Sequence, residues 1–372
     1  MIRCEGVAAG IKRSGALDLA LIDLGRPVAC AALFTGSQAA AAPVLVSRAA
    51  IADGRARAVV LNSGCANAGT GATGLANAER MQRAAAARLG CGAEDVLVCS
   101  TGPIGPQLPI EAIETAISDM GLSGDAWEQA AEAIRTTDTF AKVVAASFGE
   151  LTVRGMAKGA AMIRPDMATM LAVLTTNADI EFEVLDQSLR DAVTPSFNSL
   201  NIDGCQSTND AVIAFATAEF AADAASVRRL MAEVCMELAL MIARDGEETN
   251  RLVRLTVVGA VSDESARHVG KAITDSDLVR SSFYGGDPNW GRILQAAAVS
   301  NITIDTDAFA VAYEGMVVAE GGCQVSYDTE VIRRLLRGDF AVDVRVGWGP
   351  GTATIITTDL TPGYVEFNGA PS

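Results

Sequence analysis

The sequence predicts an α/β protein in which β-sheets are covered by helices. Three observations lead to this class. Short apolar, β-branched runs alternate with helical patterns in the first half, a pair of buried strands follows the middle of the chain, and a third group of strands follows that pair. This order favours a layered α/β sandwich over a doubly wound nucleotide-binding fold, with a smaller α/β domain in the C-terminal part.

In the first half, two predicted strands alternate with two predicted helices. The strands are ARAVVLN (56–62) and DVLVC (95–99), and the helices are GLANAERMQRAAAARLG (74–90) and PIEAIETAISDMGL (109–122). In the second helix, isoleucines recur at helical spacing, Pro109 suits the first turn, and Gly121 is suited to end it. The sequence therefore predicts β-α-β-α order here.

The second half is dominated by strands. TMLAVLTTNADI (169–180) and NDAVIAFATAEF (209–220) are typical of buried strands, and RLVRLTVVGAV (251–261) begins the last group. A helix through Leu230, Val234, Leu238 and Met241 separates the two groups. The segment 340–360 predicts a hairpin with its turn at Gly349-Pro350-Gly351, because alternate residues are valines before that turn. No linker marks a domain boundary, and we place one near Glu247.

Composition and charge narrow the possible partners. The formal charge of −16 argues against nucleic acid, and no stretch approaches the roughly 20 apolar residues of a membrane span. Charges at Arg3, Glu5, Lys12 and Arg13 interrupt any signal-peptide core, so we expect a soluble, cytoplasmic protein. Eight scattered cysteines without a CxxC pair predict reduced, buried thiols.

The residue inventory excludes several chemistries. The chain has a single histidine, His268, in a predicted amphipathic helix, so multi-histidine metal sites are excluded and no GxSxG nucleophile elbow occurs. The GTGATG segment at 69–74 fits GxGxxG, and a non-catalytic nucleotide-binding module remains an alternative. The predicted strand 56–62 does not lead directly into the first glycine of this segment. This favours a glycine-rich loop in which backbone segments approach each other closely. An N-terminal threonine would carry its own base, since an α-amine has a pKa of about 7.7–8.0.

One segment carries a resemblance to a known family. Residues 158–171, KGAAMIRPDMATML, closely resemble the signature of the ornithine acetyltransferase (glutamate N-acetyltransferase) family, in which the chain breaks between the alanine and the threonine. That bond is Ala168–Thr169 here. Further blocks resemble the family in its order along nearly the whole chain: GVAAGIKRSGALDLALI, VVLNSGCANAGTG, VLVCSTGPIG, TTDTFAK, SFNSLNIDGCQSTNDAV, ARDGE, FYGGDPNWGRI and YVEFN.

The resemblance implies roles for individual residues. Thr169 would be the nucleophile, and the Thr101 hydroxyl and Gly102 amide would stabilise the oxyanion. The residues implied in substrate binding are Thr136 or Thr137, Lys158, Thr169, Glu247 and Asn368, with Ser372 in place of the residue that ends most relatives. Lys158 would pair with the α-carboxylate of the substrate and Glu247 with the amine of ornithine.

The resemblance also implies a fold and a reaction. The fold would be of the N-terminal-nucleophile type, cut by itself into residues 1–168 and 169–372, which would assemble as two copies of each fragment. Thr169 would take the acetyl group from N-acetylornithine and pass it to glutamate by ping-pong exchange, without a metal or organic cofactor. Some family members also use acetyl-CoA. An amidase or aminopeptidase with the same nucleophile is the alternative, differing only in admitting water.

Other polar blocks have simpler interpretations, and a few positions depart from the family pattern. Two sets of polar residues predict hydrogen-bonded turns. The first is Asp287, Asn289, Trp290 and Arg292; the second is Asn198, Asp203, Asn209 and Asp210, for which a supporting role at the site is the alternative. Cys65, Gly69 and Asp166 replace an asparagine, a cysteine and an asparagine, and Glu248-Thr249-Asn250-Arg251 replaces GATK. We therefore expect pocket details to differ from those of the family.

Overall fold

The computed structural model describes residues 2–164 and 170–369, where helices and strands alternate as the sequence predicts, so the α/β class is confirmed. The strands are β1 Arg3–Val7, β2 Leu19–Phe34, β3 Arg55–Ser63, β4 Val96–Thr101, β5 Lys142–Phe148, β6 Leu151–Lys158, β7 Leu171–Asp179, β8 Leu200–Asn201, β9 Ala211–Ala221, β10 Leu252–Ala260, β11 Ala310–Tyr313, β12 Met316–Glu320, β13 Cys323–Gln324, β14 Phe340–Arg345 and β15 Gly351–Thr358. The helices are α1 Ala42–Ala50, α2 Gly71–Leu89, α3 Ile110–Asp119, α4 Trp127–Ala133, α5 Phe182–Val193, α6 Ala224–Arg244, α7 Asp263–Thr274, α8 Asp277–Gly285, α9 Trp290–Ala298, α10 Thr329–Leu335 and α11 Pro362–Gly369.

The described residues form two compact units, each with its own sheet. The first unit comprises 2–162, 170–198 and 205–242, and the second comprises 163–164, 199–204 and 243–369. The first sheet has the order β4-β3-β2-β9-β7-β6-β5, with β1 paired to β2. The second sheet has the order β13-β12-β11-β14-β10-β15-β8. No helix in these ranges is both long and apolar enough to cross a bilayer.

The first sheet is buried on both faces. Leu21 of β2 packs with residues of α1, α2 and α3, whereas its neighbour Ile22 packs with Trp127 of α4. Successive residues of a strand point to opposite faces, so a strand covered on both faces is apolar throughout. This explains the near-continuous apolar runs that predicted β3, β7 and β9.

The predicted hairpin at 340–360 is wrong. Both β14 and β15 are present, but β10 lies between them, parallel to β14 and antiparallel to β15. The connection between them crosses the end of β10, where a Cβ on Gly259 would lie 2.1 Å from the Gly347 carbonyl oxygen. The alternating valines predicted strands correctly, but alternation reports which face is buried and carries no information about the pairing partner.

Three smaller predictions were also tested. Helix α3 ends at Asp119 and the chain leaves in an extended conformation at Met120, so Gly121 does not end it through a left-handed conformation. His268 lies exposed on α7, the amphipathic helix that was predicted around it. All eight cysteines are free, but Cys91 is only half-buried and Cys205 and Cys323 are exposed, so the prediction of burial was wrong for these three.

The glycine-rich segment at 69–74 serves close packing. Helix α2 begins at Gly71, and a Cβ on Gly74 would lie 1.8 Å from the Thr70 hydroxyl oxygen. The Asn67 amide nitrogen donates to the Gly74 carbonyl at 2.8 Å. Only a glycine permits this approach, which accounts for Gly74 without a nucleotide.

Candidate active site

The STG turn follows the buried strand β4 and holds Thr101 and Gly102 in a fixed position. Gly102 has a φ of +136°, and a Cβ there would lie 2.5 Å from the Cys65 amide nitrogen. The Cys65 amide in turn donates to the Thr101 carbonyl at 3.1 Å. Backbone packed this closely admits no side chain at Gly102, so the turn requires glycine for steric reasons.

A buried network of side-chain amides also holds the STG turn in place. Asn62 accepts from the Ser100 hydroxyl at 2.6 Å and donates to the Cys65 carbonyl at 2.9 Å. Asn209 donates to the carbonyls of Ser100, at 2.9 Å, and Ala66, at 2.6 Å. These groups are buried and mutually satisfied, and such networks hold one geometry because breaking a bond leaves an unpaired group.

Lys158 meets this turn from the end of β6. Its side chain is almost fully buried, and its ammonium donates to the Thr101 hydroxyl oxygen at 3.1 Å. A hydroxyl that accepts from an ammonium keeps its own O–H for another acceptor. The Thr101 hydroxyl is therefore oriented as a donor by a neighbouring positive charge.

Asp138 ties the TTD block to the KG block. Its carboxylate accepts from the Lys142 ammonium at 2.6 Å and from the Gly159 amide at 2.7 Å, and its second oxygen accepts from the Thr136 amide at 3.0 Å. Both partners of the Asp138–Lys142 ion pair are fully buried. Thr136 is half-buried and Thr137 is exposed. The backbone at Thr136 and at Gly159, next to Lys158, therefore shares one anchor.

Asp138 is ionised in spite of its burial. Burial opposes the charge, but the positive charges of Lys158 and Lys142 and hydrogen bonds from Lys142 and Gly159 outweigh it. Together they hold the pKa of the Asp138 carboxyl well below its usual range. This carboxylate and the two lysines form a small charged cluster behind the STG turn.

A second buried aspartate, Asp210, precedes β9. One carboxyl oxygen accepts from the Met170 amide at 2.9 Å, and the other is buried without a hydrogen-bond partner among residues 2–164 and 170–369. Burial raises the pKa of the Asp210 carboxyl well above its ordinary value, against opposing effects of the Met170 amide, the Lys158 charge and the Ser207 hydroxyl. The surroundings of Asp210 therefore favour the neutral form of its carboxyl, and a further cation would favour the carboxylate.

In the second unit, Glu247 and Asn368 lie together. The Asn368 side-chain amide donates to the Glu247 carboxylate at 3.0 Å and to the Tyr364 carbonyl at 3.1 Å. Glu247 is buried in the loop after α6, and α11 presents Asn368 to it. The carbonyl of the next residue, Glu248, accepts from the Thr361 hydroxyl at 2.7 Å.

The predicted site residues fall into three groups. Thr101, Gly102, Lys158 and the backbone of Thr136 are joined in the first unit, and Glu247 and Asn368 are joined in the second. The predictions for Ala168, Thr169 and Ser372 lie outside the described residues and stay predictions. The Asp138–Lys142 pair was not predicted from the sequence, although an aspartate and a lysine four residues apart within a recognised block were a usable signal.

The turns predicted at two polar blocks are partly borne out. Asn289 caps α9 by accepting from the Arg292 amide at 3.2 Å, and its own amide donates to Asp287 at 2.9 Å. Asp203 accepts from the Ile163 amide at 3.0 Å. In the described part of the chain, no group of three or more histidine, cysteine, aspartate or glutamate side chains is arranged to hold a metal ion.

Known proteins resemble this chain over its full length. The family model described as the ArgJ family matches residues 3–371. The arginine biosynthesis bifunctional protein ArgJ of Thermobifida fusca is 42% identical, across 100% of this chain and 97% of that protein. The solved ArgJ chain of Bacillus halodurans is 31% identical to this chain, with a TM-score of 0.50. The match covers 52% of this chain and 96% of the Bacillus halodurans chain.

A second solved structure is the ornithine acetyltransferase of Mycobacterium tuberculosis in complex with ornithine. It is 44% identical with a TM-score of 0.42, and the match covers 44% of this chain and 91% of that one. The full-length sequence matches settle the family. This protein belongs to the ArgJ family.

Proposed function

We propose that the protein transfers an acetyl group from N-acetylornithine to glutamate through an acetyl ester on Thr169. Its family is one of arginine-biosynthesis acetyltransferases. The observation that carries the proposal is the buried contact between the Lys158 ammonium and the Thr101 hydroxyl, next to Gly102. It supplies hydrogen-bond donors that are already oriented before a substrate arrives.

The chemistry needs such donors at two points. When the Thr169 hydroxyl attacks the acetyl carbonyl, the carbonyl oxygen becomes an anion. The carbonyl oxygen of the acetyl ester becomes an anion again when the glutamate amine attacks it. The Thr101 O–H and the Gly102 N–H are suited to stabilise it, and removing one such donor typically lowers kcat by about 10²–10³-fold. The proton of the Thr169 hydroxyl passes to its own α-amine and then to the departing amine of ornithine.

Two charged side chains are proposed to recognise the substrate. Lys158 is a buried cation whose position is supported through Asp138, and it would bind the α-carboxylate that ornithine and glutamate share. Glu247, held by Asn368, would accept a hydrogen bond from a substrate amine. Buried, pre-positioned charges favour selectivity, because a substrate that lacks the matching group forms no charged hydrogen bond with them.

The nucleophile requires a cut between Ala168 and Thr169. Thr169 Oγ would attack the Ala168 carbonyl, the C–N bond would break as an ester forms, and water would release chains 1–168 and 169–372. The Bacillus halodurans chain supports this, since 96% of it matches only 52% of the present chain, as expected of a fragment. We place the two fragments in the cytoplasm, in an assembly of two copies of each.

The test mixes purified protein with N-acetylornithine and isotopically labelled glutamate. We expect labelled acetylglutamate and free ornithine in equal amounts, and intact masses of two fragments that meet at Ala168 and Thr169. Free acetate without acetylglutamate would instead identify an amidase with the same nucleophile. Replacing N-acetylornithine by acetyl-CoA in a parallel reaction determines whether this enzyme has a second acetyl donor.

A further inference from the structure

The loop that carries Glu247 contains a residue in a strained backbone conformation. This loop spans residues 245–251, between the end of α6 and the start of β10. Glu248 has a φ of +53°, in the left-handed region that residues with a Cβ rarely adopt. Such a conformation costs free energy and persists only where surrounding groups stabilise it. The position of Glu247 therefore depends on contacts from outside the loop.

Two side chains that follow β15 make these contacts. One carboxylate oxygen of Asp359 accepts hydrogen bonds from the Asn250 amide at 2.9 Å and from the Arg251 amide at 3.2 Å. The Thr361 hydroxyl donates to the carbonyl of the strained residue, Glu248, at 2.7 Å. Asp359 and Thr361 are both almost fully buried. One short segment thus binds three backbone groups of the loop.

The segment 359–361 is itself fixed by α8. The guanidinium of the buried Arg280 donates to the Thr358 carbonyl at 3.2 Å and to the Asp359 carbonyl at 3.3 Å. The Arg280 carbonyl accepts from the Leu360 amide at 3.3 Å. A residue can position a functional group only if its own backbone is fixed, and these three bonds fix it here.

The same segment leads directly into α11, which carries Asn368. The Tyr364 amide, in the first turn of α11, donates to the Thr361 hydroxyl oxygen at 3.0 Å. The Asn368 amide then donates to the Glu247 carboxylate at 3.0 Å. One continuous stretch, 359–368, therefore contacts both the Glu247 carboxylate and the backbone next to it.

Glu247 is a buried carboxylate whose partner in the described part of the chain is neutral. That partner is the Asn368 amide, and among residues 2–164 and 170–369 no lysine, arginine or histidine lies within ion-pairing distance of Glu247. A charged hydrogen bond between this carboxylate and a substrate amine would be strong, but only with good geometry. The placement of Glu247 therefore determines its value in recognition.

We propose that Asp359 is a positioning residue for Glu247, and that it thereby sets how strongly the enzyme prefers an acetyl donor with a free side-chain amine. The inference rests on the proposed function, in which Glu247 binds a substrate amine. Asp359 does not contact the substrate. It acts through the backbone of the loop, and Thr361 provides a second contact of the same kind.

The experiment compares two acetyl donors with the same carbon skeleton. N-acetylornithine has a free amine at the end of its side chain, whereas N-acetylnorvaline lacks it. Values of kcat/KM are measured for both donors with glutamate as the acceptor. Their ratio, the amine preference, reports on amine recognition alone, because a loss of folded enzyme lowers both values equally.

Three variants test the contact, and a fourth is a matched control. Asp359→Ala removes the acceptor of two loop amides, Asp359→Asn keeps an oxygen that can accept, and Glu247→Gln gives the amine preference without the carboxylate. Asp339→Ala is the control, because Asp339 accepts from the Leu252 amide at 2.9 Å, immediately after the loop. Intact mass and thermal unfolding are measured for every variant.

We expect wild type to prefer N-acetylornithine by about 10- to 100-fold, as one charged hydrogen bond provides. Asp359→Ala should lower this amine preference about 10-fold, mainly through a higher KM for N-acetylornithine. Asp359→Asn should restore most of it, and Asp339→Ala should keep the wild-type value. A wild-type amine preference in Asp359→Ala, or equal losses with both donors, would overturn the inference while leaving the proposed function intact.

A second variant keeps the test independent of whether Asp359→Ala folds. Thr361→Val removes the hydroxyl that binds the Glu248 carbonyl and nearly keeps the shape of the side chain. It should also lower the amine preference, but it should lower it no further in a Glu247→Gln background, because both changes act on one contact. Independent, additive losses would refute positioning through Glu247.

The outcome for Glu247→Gln separates the inference from the function on which it rests. We expect this variant to lose most of the amine preference. If it keeps the wild-type value, amine recognition by Glu247 is refuted as part of the proposed function, and the inference fails with it. If it loses the preference while Asp359→Ala and Thr361→Val keep it, only the inference fails.

Discussion

Two aspartates in the first unit are buried to a similar extent and differ in almost every other respect. Asp138 receives hydrogen bonds at both oxygens, including one from the ammonium of Lys142, and its pKa is lowered. Asp210 receives the Met170 amide at one oxygen and nothing from the described residues at the other, and its pKa is raised. Burial alone would raise both.

The difference shows that the partners, and not the depth of burial, determine the charge of a buried carboxyl. Lys158 acts on both aspartates, yet only Asp138 has a second cation and a complete set of donors. Asp138 is therefore suited to a permanent structural charge. Asp210 is suited to a charge that appears only when a further cation arrives.

The largest expected effect is on stability at Asp138. Asp138→Asn removes the anion of a fully buried ion pair with Lys142, and breaking such a pair typically costs about 3–5 kcal/mol. Urea unfolding followed by circular dichroism measures the loss. A loss below about 1 kcal/mol would mean that the pair is solvated or re-formed, and that the contrast with Asp210 has no energetic basis.

The second largest effect is expected on catalysis, at Lys158, whose positive charge acts on both aspartates. Lys158→Met removes the donor that orients the Thr101 hydroxyl, and we expect kcat to fall by about 10²–10³-fold. Lys158→Arg keeps the charge but changes its geometry, so its kcat should lie between those of wild type and Lys158→Met. Steady-state transfer assays measure both variants. A Lys158→Met enzyme with normal kcat contradicts the assignment of Thr101 as an oriented donor.

The sharpest comparison is the pH dependence of stability, measured in an uncut Thr169→Ala background that lacks the α-amine. The folded pKa of Asp138 is lowered, so its contribution is present above about pH 4, the value in an unfolded chain, and is lost as pH falls through the folded pKa. The folded pKa of Asp210 is raised, so its contribution is present below about pH 4 and is lost as pH rises through the folded pKa.

Two variants should therefore respond in opposite directions. The deficit of Asp138→Asn relative to its parent should shrink as the pH falls below about 4, whereas Asp210→Asn should gain stability relative to the parent as the pH rises above about 4. Unfolding free energies from about pH 2, where the loss at Asp138 develops, to about pH 8, where the loss at Asp210 develops, provide the readout. Parallel curves for the two variants would refute the contrast.

The smallest effect is expected at an exposed pair of the same kind and spacing as Asp138–Lys142. Asp186 and Arg190 lie four residues apart on α5 with an N–O distance of 2.7 Å, and the arginine side chain is 55% exposed. Asp186→Asn should cost no more than about 0.5 kcal/mol, because solvent screens the pair. A cost near that of Asp138→Asn would show that burial does not determine how much these two ion pairs stabilise the fold.

Much of the local structure was predictable because it depends on local patterns. The periodicity of 110–120 and of 230–241 predicted α3 and α6, and the apolar runs predicted β3, β4, β7 and β9. The STG, TTD, KG and DGE blocks identified Thr101, Thr136, Lys158 and Glu247. These depend on residue type and spacing along the chain, which the sequence states directly.

Only the tertiary structure decided which distant segments meet. It placed β10 between β14 and β15, brought the Lys158 ammonium to Thr101 across 57 positions, and left one Asp210 oxygen without a described partner. A side-chain pattern reports period and face, whereas pairing and charge state depend on the groups that packing brings near. The sequence by itself therefore determined many of the elements and the family, and the fold determined that two similar aspartates have pKa values shifted in opposite directions.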